Sequence, residues 1–482
     1  MSNLTAAILH FARASPDAPA LVDDSGTLTY GALASRIRGT AAHLSGLGLK
    51  AGDRVGLVLR DTAAHVAALL GICHFGGVAA PLDWRAKSVE NATFLTGLNP
   101  AALLVEPGAA PLGSCPNLQV DAAWHAAVAS AQNADYPTGW QDPFVISTTS
   151  GSTGRPKFIV MTHSQYYFAI TGMFELLGLS GRHRFLCTMP LYYSGGRNSC
   201  IAHLLRGDCV VLYPSLFTPE EYIDVAMRRQ ITVAGLVPSM VRQLLAASGP
   251  DPKLPGLATL FCTGAPLHAE EKRQAASRLS PHFHERYGTA ETLAISILRP
   301  GDFATRADSV GLPHSLAEIT IADEHDQVLP IGATGRLRYR GPGLGTPLYD
   351  IAENPNFRGG FYYPGEIARL DSAGYIFLQG RSSDVIMRSG AKIFPAEIEA
   401  VLAEHPAVVE SAVLGHLGQD AEEIVVAFVV PRGNLTPGTL LAHCRGRLTP
   451  HKVPRQIRVV SELPKNTAGK IDKRGLAAIL QT

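Results

Sequence analysis

The stretch Ser147-Thr148-Thr149-Ser150-Gly151-Ser152-Thr153-Gly154-Arg155-Pro156-Lys157 places small hydroxyl residues and two glycines between two apolar runs. These runs, Phe144-Val145-Ile146 and Phe158-Ile159-Val160, have the composition of buried strands. Glycines let the backbone approach a bulky anion, hydroxyl and N–H groups donate hydrogen bonds, and Lys157 adds a positive charge. We therefore predict a loop that wraps the phosphates of a nucleotide. A flexible Ser/Gly connector is the alternative, and Pro156 and the flanking strands count against it.

The loop does not have the spacing of the P-loop of NTPases. That motif has four residues between its first glycine and a Gly-Lys-Ser/Thr triplet, and a helix follows directly. Here the spacing is Gly151-Ser-Thr-Gly154-Arg-Pro-Lys157, and a strand-like run follows. A P-loop NTPase is therefore excluded.

The composition indicates a globular enzyme-sized protein without a strongly charged surface. Its 482 residues predict two to four subdomains, and 46% hydrophobic against 17% charged residues excludes a disordered chain. With 42 basic and 41 acidic residues, nothing favours nucleic acid or a membrane surface as partner. The seven cysteines form no CxxC pair, and no signal peptide is recognisable, so we expect reduced thiols and a cytoplasmic location. The oligomeric state is left open.

Apolar periodicity predicts an α/β chain with a separate small domain at its end. Thr29 is expected to cap a helix from Tyr30 to about Leu47, and residues 53–59 read as a buried strand. Alternation of helices and strands continues on both sides of the loop and predicts two doubly wound sheets. Residues 317–377 favour a small β-barrel-like subdomain of short strands. We expect an N-terminal domain over 1–380 and a mobile α+β C-terminal domain over 381–482.

A second motif, Tyr287-Gly288-Thr289-Ala290-Glu291-Thr292, follows a strand-like segment. Its aromatic ring, hydroxyl and carboxylate could stack on a purine, donate to a phosphate and hold a divalent cation, because a carboxylate with phosphate oxygens is a normal Mg²⁺ environment. Taken alone, the motif is weak, and a strand end that carries a solvated glutamate is the more common explanation of such a pattern.

Three further segments carry candidate chemistry. Phe361-Tyr362-Tyr363-Pro364-Gly365-Glu366 is followed by Gly380-Arg381, and a carboxylate such as Glu366 can accept two hydroxyl donors, with Asp371 as a nearby alternative. The run from Ser382 through Asp384, Ser389 and Gly390 to Pro395 has the character of a linker that enters a helix. Near the end, Pro464-Lys465-Asn466-Thr467-Ala468-Gly469-Lys470 presents a lysine after a glycine, a pattern that by itself is typical of a solvated surface.

Together, and in this order, these motifs closely resemble those of the adenylate-forming superfamily, which includes acyl-CoA synthetases, adenylation domains of peptide synthetases and luciferases. The resemblance implies that ATP activates a carboxylic acid to an acyl-adenylate with release of pyrophosphate, and that a thioester with CoA then forms. The implied cofactors are ATP, Mg²⁺ and CoA, or the phosphopantetheine of a carrier protein.

The resemblance also assigns expected roles to individual residues. The nucleotide is expected to contact the central loop, the segment bordering adenine, the second motif and the ribose-binding pair: Thr148, Ser150, Gly151, Ser152, Thr153, Gly154, Lys157, Gly264, Ala265, Tyr287, Gly288, Thr289, Glu366 and Arg381. Catalysis is expected to depend on Thr289, on Glu291 as the Mg²⁺ ligand and on Lys470. Asp384 would be the hinge, and the loop of Ser389 and Gly390 would replace Lys470 during thioester formation. The family usually has aspartate where this chain has Glu366.

The acid itself is less specified. The segment expected to line its site contains Tyr192, Tyr193, Ser194, Gly195 and Gly196, and Ala290 joins them. No acidic residue is present there to pair with an ammonium, so an α-amino acid is disfavoured. An aryl acid or a short to medium aliphatic acid suits the segment, with aryl preferred.

Two alternatives stay open. A stand-alone ligase could load a carrier protein, since the basic residues Arg445, Arg447, Lys452 and Arg455 could meet either CoA phosphates or an acidic carrier. A non-catalytic homologue that holds nucleotide is motivated by Glu366 in the ribose position, and the presence of Lys470 and Glu291 argues against it.

Overall fold

The computed structural model has two large sheets, a smaller antiparallel sheet and a C-terminal α+β unit. The structure describes residues 3–86, 88–131, 136, 138–150, 156–213, 218–247, 249, 253–349, 354–388, 391–417, 423–465 and 471–481.

The helices, in chain order, are α1 Leu4–Ala14, α2 Tyr30–Gly46, α3 Ala63–Phe75, α4 Ser88–Leu98, α5 Ala122–Ser130, α6 His163–Leu177, α7 Ser194–Leu205, α8 Pro219–Arg228, α9 Pro238–Ala247, α10 Ala269–Arg278, α11 Phe303–Arg306, α12 Pro395–Ala403, α13 Pro437–Arg445 and α14 Lys473–Gln481.

The strands of the first half are β1 Pro19–Asp23, β2 Gly26–Thr29, β3 Arg54–Val58, β4 Val78–Pro81, β5 Ala102–Val105, β6 Asn117–Gln119, β7 Pro143–Ser150, β8 Pro156–Thr162, β9 Arg184–Cys187, β10 Cys209–Leu212, β11 Val233–Leu236, β12 Thr259–Thr263, β13 Phe283–Tyr287 and β14 Ser296–Leu298. Those of the second half are β15 Leu312–Pro313, β16 Glu318–Ala322, β17 Gly335–Arg340, β18 Thr346–Pro347, β19 Phe357–Arg358, β20 Phe361–Tyr362, β21 Glu366–Leu370, β22 Ile376–Arg381, β23 Ile386–Arg388, β24 Ala391–Ile393, β25 Val408–Leu417, β26 Glu423–Pro431 and β27 Gln456–Val459.

The helices α2 and α3 begin at threonines that cap their first turns, and α2 begins where the sequence predicts. The hydroxyl of Thr29 accepts a hydrogen bond from the N–H of Ala32 at the start of α2, as an N-cap does. Thr62 caps α3 in the same way, and α3 ends at Gly76, whose φ of 94° needs a residue without a Cβ. The predicted helix over residues 30–47 and strand over 53–59 are confirmed to within one or two residues.

The first large sheet has the order β18-β8-β7-β4-β3-β5-β6. Strands β7, β4, β3, β5 and β6 are parallel, whereas β8 pairs antiparallel with β7 and β18 antiparallel with β8. The predicted loop thus joins the two strands of a hairpin at the edge of a parallel sheet.

The second large sheet has the order β15-β14-β13-β12-β11-β9-β10-β1-β2. Its centre is parallel, and the edge strands β2, β14 and β15 are antiparallel. Strands β1 and β2 come from the N-terminal region, which the helix–strand alternation had assigned to one sheet with β3 to β6. Instead β1 pairs with β10, with Leu21 and Val22 opposite Val210 and Val211, and β2 pairs with β1 at the edge of the sheet.

The predicted small β subdomain is an antiparallel sheet in which β17 pairs with β16, β20 and β21. The pairing of β21 with β22 sets Glu366 directly opposite Arg381. After a 3₁₀ turn at Ser382–Asp384, the C-terminal unit forms a hairpin of β23 and β24, the sheet β25-β26-β27 and three helices. None of the described helices is long and apolar enough to cross a bilayer.

Candidate active site

The central loop lies between two strands that are in register up to its ends. Thr148 pairs with Phe158, Thr149 with Lys157 and Ser150 with Pro156. The predicted phosphate contacts Gly151, Ser152, Thr153 and Gly154 lie outside the described residues. The loop therefore begins and ends at the carboxyl end of β7, where parallel sheets of this class bind ligands.

The second motif forms a tight turn directly after β13. The N–H of Thr289 donates to the Thr292 hydroxyl at 3.1 Å, and the N–H of Leu293 donates to the Thr289 carbonyl at 2.9 Å. A Cβ on Gly288 would lie 2.0 Å from the carbonyl oxygen of Leu293, so the turn requires glycine there. The turn brings the hydroxyl of Thr289 and the carboxylate of Glu291 to one side of the strand end.

A tyrosine that sequence reasoning quoted but gave no role connects these two residues. The phenol of Tyr362, buried in β20, lies beside the Thr289 hydroxyl and the Glu291 carboxylate and interacts with both. Burial, followed by the charge of Glu291, raises the pKa of Tyr362 well above its usual value, so the phenol keeps its proton. Glu291 itself is only 9% exposed. The phenol therefore positions the hydroxyl and the carboxylate relative to each other.

The two residues of the predicted ribose-binding pair, Glu366 and Arg381, lie close together in the structure. The Glu366 carboxylate lies 3.5 Å from Nε of Arg381 and is 14% exposed, whereas Arg381 is 61% exposed. A cavity of about 140 Å³ opens beside them and is lined by Gly365, Glu366, Ser382 and residues of β17 and β19. Burial, with a contribution from the charge of Glu366, raises the pKa of Tyr287 well above its usual value, which places the ring of the second motif next to this pair.

Asp371, the alternative carboxylate for the ribose, has another structural role. Its carboxylate pairs with Arg306 at 3.1 Å and accepts the backbone N–H groups of Ala373 and Tyr375. Glu366 is therefore the carboxylate that faces the cavity.

The expected acyl segment runs from β9 into α7, which begins at Ser194. The Tyr192 hydroxyl accepts a hydrogen bond from Arg85 at 2.8 Å. A Cβ on Gly196 would lie 2.3 Å from the Met189 carbonyl oxygen, so the helix start packs tightly on its own loop. A Cβ on Gly264, whose φ is 102°, would lie 3.7 Å from the Tyr193 hydroxyl. The acyl segment thus adjoins the segment expected to border adenine.

The predicted hinge residue is held by a lysine of the last helix. Lys473 lies 3.0 Å from the Asp384 carboxylate and 3.7 Å from that of Glu399. Burial raises the pKa of Glu399, and Lys473 opposes this effect. The predicted thioester-loop residues Ser389 and Gly390 and the predicted catalytic Lys470 lie outside the described residues.

The basic residues of the C-terminal unit are partly neutralised by glutamates. Arg447 pairs with Glu404 at 3.0 Å, and Lys452 pairs with Glu397 at 2.6 Å. The surface is therefore less positive than its composition indicates.

The donor set at Glu291 suits a Mg²⁺ ion that is bound mainly by its substrate. Among the described residues, no group of three or more His, Cys, Asp or Glu side chains could hold a metal. Mg²⁺ usually takes one or two carboxylates and completes its shell with phosphate oxygens and water. One buried carboxylate matches that requirement, because the phosphates of the nucleotide would supply the other oxygen ligands.

Comparison with known proteins settles the family. The profile described as AMP-binding enzyme matches residues 8–349, and the profile of the AMP-binding enzyme C-terminal domain matches residues 397–470. The chain belongs to the AMP-binding enzyme family. The indoleacetate–CoA ligase of Aromatoleum aromaticum is 30% identical to it, with 92% of each chain covered. The feruloyl-CoA synthase of an Amycolatopsis species is 29% identical, with 96% of each chain covered.

Solved AMP-binding enzymes share the complete fold. ATP-bound MatB from Rhodopseudomonas palustris superposes with a TM-score of 0.90 at 26% identity and covers 100% of this chain and 99% of its own. The o-succinylbenzoate CoA synthetase of Bacillus subtilis superposes with a TM-score of 0.88 at 23% identity, with 100% and 98% covered. The predicted superfamily, fold class and enzyme type, an acid–thiol ligase, are confirmed.

Three residues near the predicted motifs had no role in the sequence-based prediction. Tyr362 stood inside a quoted motif, and its link to Thr289 depends on the pairing of β20 with β17. Arg197 follows Gly195-Gly196, and Arg286 precedes Tyr287. The signal available in the sequence was that each arginine stands directly beside a motif. The sequence does not show that both side chains are buried, because burial depends on tertiary packing.

Proposed function

We propose that this AMP-binding enzyme activates an aryl carboxylic acid with ATP and transfers the acyl group to CoA. The observation that carries the proposal is the grouping of Thr289 and Glu291 with Tyr362, together with Tyr287 of the same motif near the pair of Glu366 and Arg381. Full-length relatives named for indoleacetate and ferulate, both acids with an aromatic ring, favour aryl over aliphatic acids. A short or medium aliphatic acid is the alternative within the same activity.

The nucleotide would be held by the second motif, the segment of Gly264 and Ala265, the pair of Glu366 and Arg381, and the central loop. Tyr287 would pack on adenine beside Gly264 and Ala265, and Glu366 would accept the ribose hydroxyls with Arg381 assisting. The longer side chain of Glu366 reaches the cavity from the start of β21 and lies 3.5 Å from Nε of Arg381. Thr148, Ser150, Lys157 and the four loop residues between Ser150 and Arg155 would enclose the phosphates.

The first reaction needs positioning and charge neutralisation more than covalent chemistry by the protein. A carboxylate oxygen of the acid attacks the α-phosphorus in line, and pyrophosphate leaves. Thr289 would donate to the α-phosphate, and Glu291, oriented by Tyr362, would hold Mg²⁺, which neutralises phosphate charge when bound. Lys470 would contact both reactants, and Ala290 would lie beside the acid with the segment Tyr192–Gly196.

The second reaction needs access for a thiol. Rotation of the C-terminal unit about Asp384 would remove Lys470 and bring the loop of Ser389 and Gly390 to the site. The contact of Lys473 with Asp384 links this hinge to the helix that follows the catalytic lysine. CoA is the proposed acceptor, because the relatives are named as CoA ligases or synthases.

A pyrophosphate-release assay with Mg-ATP tests the proposal. The panel contains benzoic, cinnamic, arylacetic, aliphatic and amino acids, each with and without CoA. Pyrophosphate release with an aryl acid together with loss of CoA thiol is the expected result. Release without thiol loss would point to a carrier protein as acceptor, and silence with all acids would contradict the proposal.

A further inference from the structure

We propose that Glu410 is a positioning residue for adenylate formation, because it joins helix α9 of the N-terminal domain to the base of the C-terminal segment that carries Lys470. This inference rests on the proposed function, in which Lys470 acts in the first reaction and leaves the site before the second. Glu410 lies outside every motif of the sequence analysis, and only its contacts in the structure point to this role.

The carboxylate of Glu410, in β25, contacts two cations that belong to different domains. It lies 2.8 Å from Nζ of Lys465 in the C-terminal unit and 3.8 Å from Nη1 of Arg242 in α9. The Glu410 side chain is only 14% exposed, and charged side chains are rarely buried so far unless they are paired. In the part of the chain that the structure describes, no other ion pair joins residues 1–380 to residues 385–482.

Arg242 is fixed within the N-terminal domain by a second carboxylate. Its Nε lies 2.5 Å from Oε1 of Glu271 in α10, and Glu271 also accepts the N–H of His268 at 2.8 Å. Burial opposes the charge of Arg242, but the charges of Glu271 and then of Glu410 outweigh it and raise the pKa of Arg242. The guanidinium therefore has a fixed position and a full charge where it meets Glu410.

Helix α9 starts beside the proposed site. It begins directly after Val237, and a Cβ on Gly264 would lie 3.8 Å from Cγ1 of Val237 and 3.7 Å from the Tyr193 hydroxyl. Gly264 belongs to the segment expected to border adenine, and Tyr193 belongs to the acyl segment. Arg242 lies one turn further along the helix, about 6 Å from its start. The contact with Glu410 is therefore made close to the segments that would hold the reactants.

Lys465 connects Glu410 to the segment of Lys470. Lys465 and Ile471 form an antiparallel bridge, and the residues between them lie outside the described residues. The bridge is thus the described base of the segment that carries Lys470. Because Glu410 contacts this base through Lys465 and α9 through Arg242, movement of the C-terminal unit away from α9 would also move the base of the segment.

The contact favours the first reaction over the second. Lys470 is needed at the site only while the adenylate forms, and rotation about Asp384 for thioester formation would separate Glu410 from Arg242. Loss of the contact should therefore lower the fraction of molecules in which Lys470 reaches the site. Binding of the nucleotide should not change, because the residues expected to hold it belong to the N-terminal domain and to Arg381.

Separate assays of the two reactions test the inference. In Glu410→Gln, kcat for pyrophosphate release is expected to fall by about 10-fold, the low end of the effect of close charge pairs at interfaces, with KM for ATP unchanged. Thioester formation from supplied acyl-adenylate and CoA should be unchanged or faster. Glu410→Asp, which keeps the charge, should keep part of the rate of pyrophosphate release. Equal loss of both reactions, or unchanged pyrophosphate release in Glu410→Gln, would overturn the inference.

Two further variants separate this role from general destabilisation. Arg242→Gln should also slow pyrophosphate release, and the double variant Arg242→Gln/Glu410→Gln should be no slower than the slower single variant, because both changes break the same contact. Effects that multiply in the double variant would overturn the inference. Glu318→Gln is the control and should change neither reaction, because Glu318 pairs with Arg340 at 2.8 Å within the small β subdomain.

Hydrogen exchange decides the inference without turnover. Amides of α9 are expected to exchange faster in Glu410→Gln than in the wild type, whereas those of β26, in the core of the C-terminal unit, should not change. Equal exchange of α9 in both proteins, or faster exchange of β26 as well, would overturn the inference. Failure of the proposed function has a different result, since the wild type would then release no pyrophosphate with any acid while the difference in exchange would remain.

Discussion

Replacement of Tyr362 by phenylalanine removes one hydroxyl from the centre of the proposed site. That hydroxyl lies beside Thr289 and Glu291 and interacts with both, so the variant leaves a buried carboxylate without a neighbouring donor. A hydrogen bond to a charged group contributes about 1.5–3 kcal/mol, which corresponds to about 10- to 150-fold in a rate or binding constant. We expect kcat/KM for Mg-ATP to fall by that factor, and the required Mg²⁺ concentration to rise.

The assay is pyrophosphate release at varied ATP and Mg²⁺ with a saturating acid. Tyr375→Phe is the matched control, because Tyr375 also donates to a carboxylate, that of Asp302 at 2.8 Å, away from the site. Both variants are expected to lose thermal stability, but only Tyr362→Phe should change the Mg²⁺ dependence. An unchanged kcat/KM in Tyr362→Phe, or an equal change in both variants, would refute the positioning role.

Three further predictions follow from the site. Glu366→Gln should raise KM for ATP by about 10- to 150-fold, because the ribose hydroxyls lose a charged acceptor. With 2′-deoxy-ATP, the KM values of wild type and variant should differ much less. An equal difference with both nucleotides would exclude contact of Glu366 with the 2′-hydroxyl. Gly288→Ala should lower the free energy of unfolding by about 1–3 kcal/mol and weaken ATP binding, because its Cβ would lie 2.0 Å from a backbone oxygen. Gly301→Ala is the control and should have neither effect, because a Cβ there has nothing within 4 Å. Melting temperatures and ATP titrations of the two variants test this. Lys470→Ala should abolish adenylate formation but still convert supplied acyl-adenylate to thioester, and equal loss of both steps would contradict its assignment.

Much of the chain's organisation could be predicted from local patterns. The helix caps Thr29 and Thr62, the strand-loop-strand pattern around Gly151 and the turn of Tyr287-Gly288-Thr289 all depend on residues close in sequence. Such features are set by backbone conformation and hydrogen bonds within a few residues. The motif order also predicted the family, which the comparisons confirm.

Other features depend on contacts between distant segments. The placement of β1 beside β10 joins residues nearly two hundred positions apart. The alternation of helices and strands does not reveal this pairing, because it is the same whether β1 belongs to the first or to the second large sheet. Asp371 was a plausible ribose ligand until its pairing with Arg306 excluded it.

The sequence by itself determined the family and the enzyme class, and it predicted the nucleotide motifs. All three depend on short runs of contiguous residues whose chemistry and spacing are local. Only the tertiary structure decided that Tyr362 links Thr289 to Glu291 and that Arg197 and Arg286 are buried without carboxylate partners among the described residues. Burial and charge pairing are properties of the packed chain, since they depend on which distant side chains exclude water from a group and which supply its counter-charge.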